Sequence, residues 1–328
     1  MKQFEHLGLL FSEHLRKFNE ELHSGSPAEL YQPCSYILSL GGKRLRPLLA
    51  LMACDLLGKD PKAALNSALS VELFHNFSLI HDDILDEAPL RRNQATVHLK
   101  WNRNIAILSG DALLVKSLQV LQSYPKEEAV PLSALMCATA MEVCEGQQLD
   151  MNFETQDSID IEAYIHMIRC KTAVLLGCSL QMGAINAQAD QEQQHHLYAF
   201  GMNLGIAFQL LDDLLDAFAP NMEMFGKRPG GDILSNKKTF LLLKAIELAN
   251  SAQKKEIESV IQLPSEQPDE KIRRMLAVFS ALNIKSVCES HADAFTNKAL
   301  ASLDKVKADP NKKKQMQEFA TELLKREV

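Results

Sequence analysis

Residues 81–86 read HDDILD, and residues 209–216 read QLLDDLLD. Each stretch sets three aspartates in the spacing D-D-x-x-D inside an apolar run: Asp82, Asp83 and Asp86, then Asp212, Asp213 and Asp216. On a helix the first and third of each set project from one face, with the middle one turned by about 100°. An unpaired carboxylate among apolar side chains is costly, and two on one face repel. A single D-D-x-x-D is most often a solvated acidic face. Two copies, each flanked by apolar residues on its other helix faces, point instead to two acidic helices that face each other across a cavity and share a cation. An all-oxygen donor set suits Mg2+ or Mn2+. Mg2+ takes few carboxylates and completes its shell with water and substrate phosphate, so the pattern predicts a phosphate-bearing substrate.

Outward from both stretches the apolar periodicity stays helical nearly to the ends of the chain, and strand alternation is absent. Phe4, Leu7, Phe11, Leu15 and Phe18 recur at helical spacing with charges between them, an amphipathic helix and not a signal peptide. In SGSPAEL, Ser26 is expected as N-cap, Pro27 at the first helical position and Glu29 closing a capping box. Pro33 is expected to open the next helix, Gly41-Gly42 to end it and Pro47 to sit in the first turn of another. SYPKEEAVP at 123–131, PSEQPDE at 264–270 and KADPNKKK at 307–314 read as turns, and 219–238 as one long functional loop. No shift of composition marks a boundary. The reading is one all-α domain over 1–328, a large bundle of ten or more helices around a central cavity.

The net charge of −7 and pI near 5.8 exclude a general nucleic-acid binder. Seven scattered cysteines with no C-x-x-C pair exclude a disulfide framework or zinc site and fit a reducing cytoplasm. No uncharged apolar stretch reaches the length of a membrane span, so no stable membrane insertion is expected.

Cations surround the acidic stretches. GGKRLRP (41–47) places Lys43, Arg44 and Arg46 at a helix junction, where backbone N–H groups add to an anion site. PLRRNQATVH (89–98) carries Arg91 and Arg92 just beyond the first aspartate set. Lys171-Thr172, Lys227, Lys237 and Lys238 accompany the second. His75 precedes Asp82 by seven residues and shares its face; taken alone, it reads as a core histidine.

As a set, G-G-K-R-x-R-P, R-R, K-T, G-x-x-F-Q (Gly205 to Gln209), G-K…G-G-D and the two aspartate motifs resemble the trans-isoprenyl diphosphate synthases, the polyprenyl synthetase family. The resemblance runs in order from Gly41 to Thr239. It implies the isoprenoid synthase fold and a Mg2+-assisted condensation of an allylic diphosphate (dimethylallyl, geranyl or farnesyl) with isopentenyl diphosphate. Asp82, Asp86 and Asp212 would bind three magnesium ions directly, with Asp83, Asp213 and Asp216 in support. Arg91, Lys171 and Lys227 would hold the allylic diphosphate. Lys43, Arg46, His75 and Arg92 would hold isopentenyl diphosphate. Lys237 would also reach phosphate, Thr172 and Gln209 would lie near the allylic cation, and Gln147 and Asp150 match a further pocket motif. A cytoplasmic homodimer is implied as well. Asn93 stands where many relatives have Gly, and Arg228-Pro229 interrupts the Gly-Lys to Gly-Gly-Asp loop.

The growing chain is expected beside the first aspartate helix, with Ser78 permitting elongation, Phe77 limiting it from the side and Phe74 plugging it deeper. By resemblance that pattern favours a C20 product, with C15 next. Other readings are a longer-chain polyprenyl synthase, a class I terpene cyclase, which usually lacks the isopentenyl site, and a non-catalytic partner subunit, which typically loses one aspartate set.

Overall fold

A computed structural model describes residues 4–219, 229–264 and 267–325. The described chain is all-α apart from one two-residue antiparallel pair. It divides into two compact units, each drawn from three separated stretches. Unit 1 comprises 1–140, 175–198 and 304–316; unit 2 comprises 141–174, 199–303 and 317–328.

Unit 1 opens with α1 (Glu5–His23), which buries Leu7, Phe11 and Leu15 at the expected spacing. α2 (Ala28–Ser39), α3 (Leu45–Leu56) and α4 (Leu65–Leu85) follow. α4 is buried over most of its circumference, from Ser67 to Ile84, as a helix apolar on all sides must be. β1 (Leu90–Arg91) and β2 (Gln94–Ala95) form a hairpin, then come α5 (Val97–Lys100) and α6 (Arg103–Leu121). α7 (Lys126–Thr155) begins in unit 1 and ends in unit 2.

α8 (Ile161–Ile168) and a π-helical turn at Arg169–Ala173 follow in unit 2, α9 (Val174–Asn186) belongs to unit 1 from Leu175 onward, and α10 (Gln191–Phe218) passes from unit 1 into unit 2 after Tyr198. α11 (Gly231–Leu234), α12 (Phe240–Leu248), α13 (Ser251–Ile261), α14 (Pro268–Ala281), α15 (Ile284–Asp304) and α16 (Pro310–Leu324) complete the chain. A continuous core joins Tyr164, Ile168, Leu210, Leu214, Phe240 and Phe279 in this unit.

Several local expectations are corrected. Pro27 is itself the cap residue of α2, with no side-chain cap bond from Ser26, and Pro33 lies inside that helix and does not open another. Pro131 likewise lies inside α7, so the turn before it is shorter than 123–131. Both prolines are sixth in their helices, where the forfeited N–H bond is to the second residue's carbonyl. The expected 219–238 loop contains the helical turn α11, and its Pro220–Arg228 portion lies outside the described residues. The hairpin was not expected. Its two central residues, Arg92 and Asn93, both have positive φ (54° and 61°), as a type I′ two-residue loop requires. Asn tolerates that region, so a residue other than Gly fits here.

The seven cysteines are unpaired, and burial pushes the Cys34, Cys54 and Cys178 thiols up to about 12. Among the described residues one helix, α6, is long and apolar enough to cross a membrane by length and composition. It carries Arg103, Asp111 and Lys116, and it packs along α4 with Ala106, Gly110, Leu113 and Ser117 buried.

Candidate functional site

Burial divides the six aspartates. Asp83, Asp213 and Asp216 are 1, 4 and 2% exposed. Asp82 and Asp212 are partly exposed and Asp86 is exposed. In unit 1, α4 delivers the first set: Asp86 caps the helix, its N–H donating to the Asp82 carbonyl at 2.8 Å. Asp83 is turned into the protein and clasped by Arg91, whose Nε and Nη2 donate to Oδ1 at 3.0 and 2.5 Å. Burial pushes the Asp83 carboxyl upward against the pull of Arg91.

Beside α4 lies a basic cluster. Arg92 donates to the Gly41 carbonyl, and its guanidinium rests on Gly42. A Cβ there would meet Arg92 at 2.7 Å, and the φ of +123° also demands glycine. Arg46 Nη1 donates to His75 Nε2 at 3.2 Å. A guanidinium cannot accept, so His75 carries its proton on Nδ1. Burial, then Arg46, Arg92, Arg91 and Arg44, depress the His75 pKa well below its ordinary value. Burial also lowers Arg46 to about 10, and its Nε has no hydrogen-bond partner among the described residues. Lys43 is exposed.

Arg44 departs from the other cations. It adopts a left-handed backbone (φ 47°), and its guanidinium turns inward to the buried Glu72 and to the Leu38 carbonyl at 2.5 Å. Glu72 also accepts from Asn76 Nδ2 at 2.8 Å. Glu72 escaped the sequence reading, since its partner lies 28 residues away.

Phe74 and Phe77 meet as tilted rings with centroids 5.4 Å apart, and Phe77 contacts His81 edge to face at 4.8 Å. Both phenylalanines are buried, while Ser78 is partly exposed and bonds the His75 carbonyl.

In unit 2, the π turn presents Lys171 and Thr172. It is gripped from two sides: a Cβ on Gly146 of α7 would meet Lys171 N at 2.3 Å, and one on Gly205 of α10 would meet Ala173 Cα at 2.6 Å. Lys171 Nζ donates to Asp150 Oδ2 at 2.5 Å, and Lys237 Nζ stands 3.8 Å from the same oxygen. Burial works to raise Asp150, but Lys237 and Lys171 outweigh it and hold the carboxyl below its usual range. Gln147 Oε1 is buried with no partner among the described residues. Lys238 is committed elsewhere, to the Phe153 carbonyl at 2.6 Å. Lys227 lies outside the described residues.

The second aspartate set is tied inward. Tyr164 O–H donates to Asp213 Oδ2, and Gln209 Nε2 donates to Oδ1 at 3.3 Å. Thr172 Oγ1 donates to Gln209 Oε1 at 3.2 Å. Burial raises Asp213 to about 7. Asp216 Oδ2 accepts the Asp232 N–H at 2.8 Å, so the Gly230-Gly231-Asp232 turn is pinned to the helix bearing the aspartates. Tyr164, eight residues before Thr172, gave no sequence signal.

Among the described residues no three of His, Cys, Asp and Glu converge into a closed metal cage. The donor set on each motif is all oxygen, with the accessible carboxylates on α4 four residues apart. That fits Mg2+, whose remaining positions go to water and phosphate.

The polyprenyl synthetase family model matches residues 27–279. A geranylgeranyl diphosphate synthase of Methanosarcina mazei is 40% identical over 226 residues, covering 67% of this chain and 68% of its own. The crystal structure of a geranylgeranyl pyrophosphate synthase matches over 100% of both chains, with TM-score 0.94 and 44% identity. A polyprenyl synthase of Caulobacter crescentus, solved with calcium and isoprenyl diphosphate, is 26% identical with TM-score 0.88, covering 100% of this chain and 98% of its own.

Proposed function

The chain belongs to the polyprenyl synthetase family, and from that premise we propose how its residues divide the work. It is a short-chain trans-prenyltransferase with the all-α isoprenoid synthase fold. It joins an allylic diphosphate to isopentenyl diphosphate and releases diphosphate. Magnesium dependence is a general property of the family. The favoured product is C20, with C15 next.

The observation that carries the assignment of residues is the burial split of the aspartates. Asp82, Asp86 and Asp212 are the accessible members and are assigned to magnesium. Asp83, Asp213 and Asp216 are buried, held by Arg91, by Tyr164 and Gln209, and by the Asp232 N–H, and are assigned to support. When bound, the metal supplies positive charge that neutralises the departing diphosphate.

The remaining steps belong to the chain's own groups. Arg91, Lys171 and Lys227 bind the allylic diphosphate, and Lys237 assists. Asp150 keeps Lys171 extended beside Lys237 through their shared oxygen. Lys43, Arg46, His75 and Arg92 bind isopentenyl diphosphate; the unsatisfied Arg46 Nε supports this, since a buried donor without a partner calls for an acceptor. Thr172 and Gln209 turn oxygen dipoles toward positive charge as the allylic C–O bond ionises. The proton lost after condensation goes to the departing diphosphate, as the resemblance implies. Phe77 and Phe74 bound the space for the growing chain. Further proposals are a cytoplasmic location and a single domain over 1–328, the latter supported by a family match that runs through both units.

The test is to incubate purified protein with isopentenyl diphosphate, each allylic starter and Mg2+, and to size the products. The expected result is a C20 product with farnesyl diphosphate as starter, no turnover with chelator, at least about a hundredfold loss in Asp82→Ala and Asp212→Ala, and longer products from Phe77→Ala. Full turnover in either aspartate variant would overturn the metal assignment, and unchanged product length in Phe77→Ala would remove Phe77 from the tunnel floor.

A further inference from the structure

The hydrogen bonds around Asp213 run in one direction. A carboxylate accepts, so the Gln209 edge facing Asp213 Oδ1 is its amide N–H2. That places the Gln209 carbonyl oxygen at the other end, where the Thr172 hydroxyl donates to it at 3.2 Å. Thr172 thereby spends its proton on Gln209 and keeps its oxygen lone pairs for another partner. The orientation of the whole chain depends on Asp213 staying in place. Asp213 is fully inside the protein, where a carboxylate left with one donor would be costly. Its second donor is Tyr164, itself 1% exposed and held in the core of unit 2 among Met167, Ile168 and Leu210.

We propose that Tyr164 is a positioning residue for the reaction: through Asp213 it fixes the Gln209 amide, and through Gln209 it aims the Thr172 oxygen lone pairs at the developing allylic cation. This rests on the assignment of Thr172 and Gln209 as cation-facing groups. The amide orients correctly only if its N–H2 has a fixed acceptor. Without the tyrosine hydroxyl, Asp213 can rotate or draw the amide toward its second oxygen, and the bond to Thr172 is lost. Tyr164 itself touches no substrate, and diphosphate binding is carried by other residues. Its effect therefore falls on ionisation and leaves substrate affinity alone.

The test is a double-mutant cycle of Tyr164→Phe and Gln209→Leu, with kcat and both KM values measured at saturating Mg2+. Tyr164→Phe keeps the ring and deletes only the hydroxyl. The expected result is a fall of about tenfold in kcat, with both KM values and the half-saturating Mg2+ concentration within about twofold. Gln209→Leu lowers kcat on its own, and adding Tyr164→Phe to it changes nothing further. Wild-type kcat in Tyr164→Phe beside a slow Gln209→Leu overturns the tyrosine's role alone, as do fully additive losses or a loss confined to KM. Wild-type kcat in Gln209→Leu overturns the underlying assignment and the proposal with it. A second measurement is independent of how much variant enzyme folds. Fluorine at C2 of the allylic substrate slows ionisation, and the ratio of rates without and with fluorine must be larger in Tyr164→Phe than in wild type. An equal ratio overturns the proposal.

Discussion

His75 is a neutral imidazole set among four arginines, and its neutrality has a measurable cost in acid. Its folded pKa lies well below the ordinary value of 6.5, first through burial and then through Arg46, Arg92, Arg91 and Arg44. The unfolded chain therefore takes up a proton near pH 6.5 that the folded protein refuses. The stability this contributes is fully present above pH 6.5 and is lost as pH falls below it, at a rate of at most about 1.4 kcal/mol per pH unit. Melting temperatures of wild type and His75→Gln between pH 8 and 5 should diverge only in the acid half, with the wild type falling more steeply; parallel curves would show that His75 charges freely in the fold. The charge of the surroundings was legible: GGKRLRP and RR announce a basic pocket. What the linear text hid was the allotment of those charges. Arg44 looks like a ligand beside Lys43 and Arg46, yet it is spent on Glu72, because a buried carboxylate 28 residues on demands a partner. By resemblance Asp83 holds only a supporting role, and what anchors it in turn, Arg91 folding back over it from eight residues on, is visible only in the fold.

At the scale of elements, helices announce themselves by apolar period, and the amphipathic α1 and the ends at Gly41-Gly42 appear where that period places them. A π-helical turn has no period to read. Its signs here are two glycines 25 and 32 residues away from the backbone they touch, Gly146 against Lys171 and Gly205 against Ala173. The extra residue in such a turn alters the direction of side chains, and here Lys171 and Thr172 are left partly exposed while Cys170 and Ala173 on either side are buried. Closing both glycine contacts with methyl groups tests the point. Gly146→Ala and Gly205→Ala should each destabilise the protein by about 1–3 kcal/mol through overpacking and lower kcat as the turn shifts. Gly8→Ala, whose added Cβ meets nothing within 4 Å, should do neither. Thermal melts beside steady-state kinetics measure it; a destabilised but fully active Gly146→Ala would mean that the turn can move without moving its chemistry.

For the whole molecule, the partition into two units left no mark in composition because its limits fall inside helices: α7 and α10 each contribute to both, so no linker exists to be read. The more consequential whole-molecule feature is α6. One side of this helix is sealed against α4, while Ile107, Leu108 and Val115 on the other are 40, 60 and 64% exposed. Leu108 and Val115 are seven residues apart and share a face, and Leu99 on α5, 58% exposed, adds to the apolar surface. Water contact at several large aliphatic side chains on one helix calls for a cover, and the homodimer that the family resemblance implies would supply one: we propose that a two-fold contact lays the same face of α6 on its copy. The double substitution Leu108→Glu, Val115→Lys should then halve the mass measured by light scattering at micromolar concentration. Both side chains are largely outside the monomer's own core, so far-ultraviolet dichroism should stay unchanged. A variant that remains dimeric would place the contact on another face. A wild-type chain that is monomeric at the same concentration would end the homodimer proposal itself, leaving α6 exposed for some other reason.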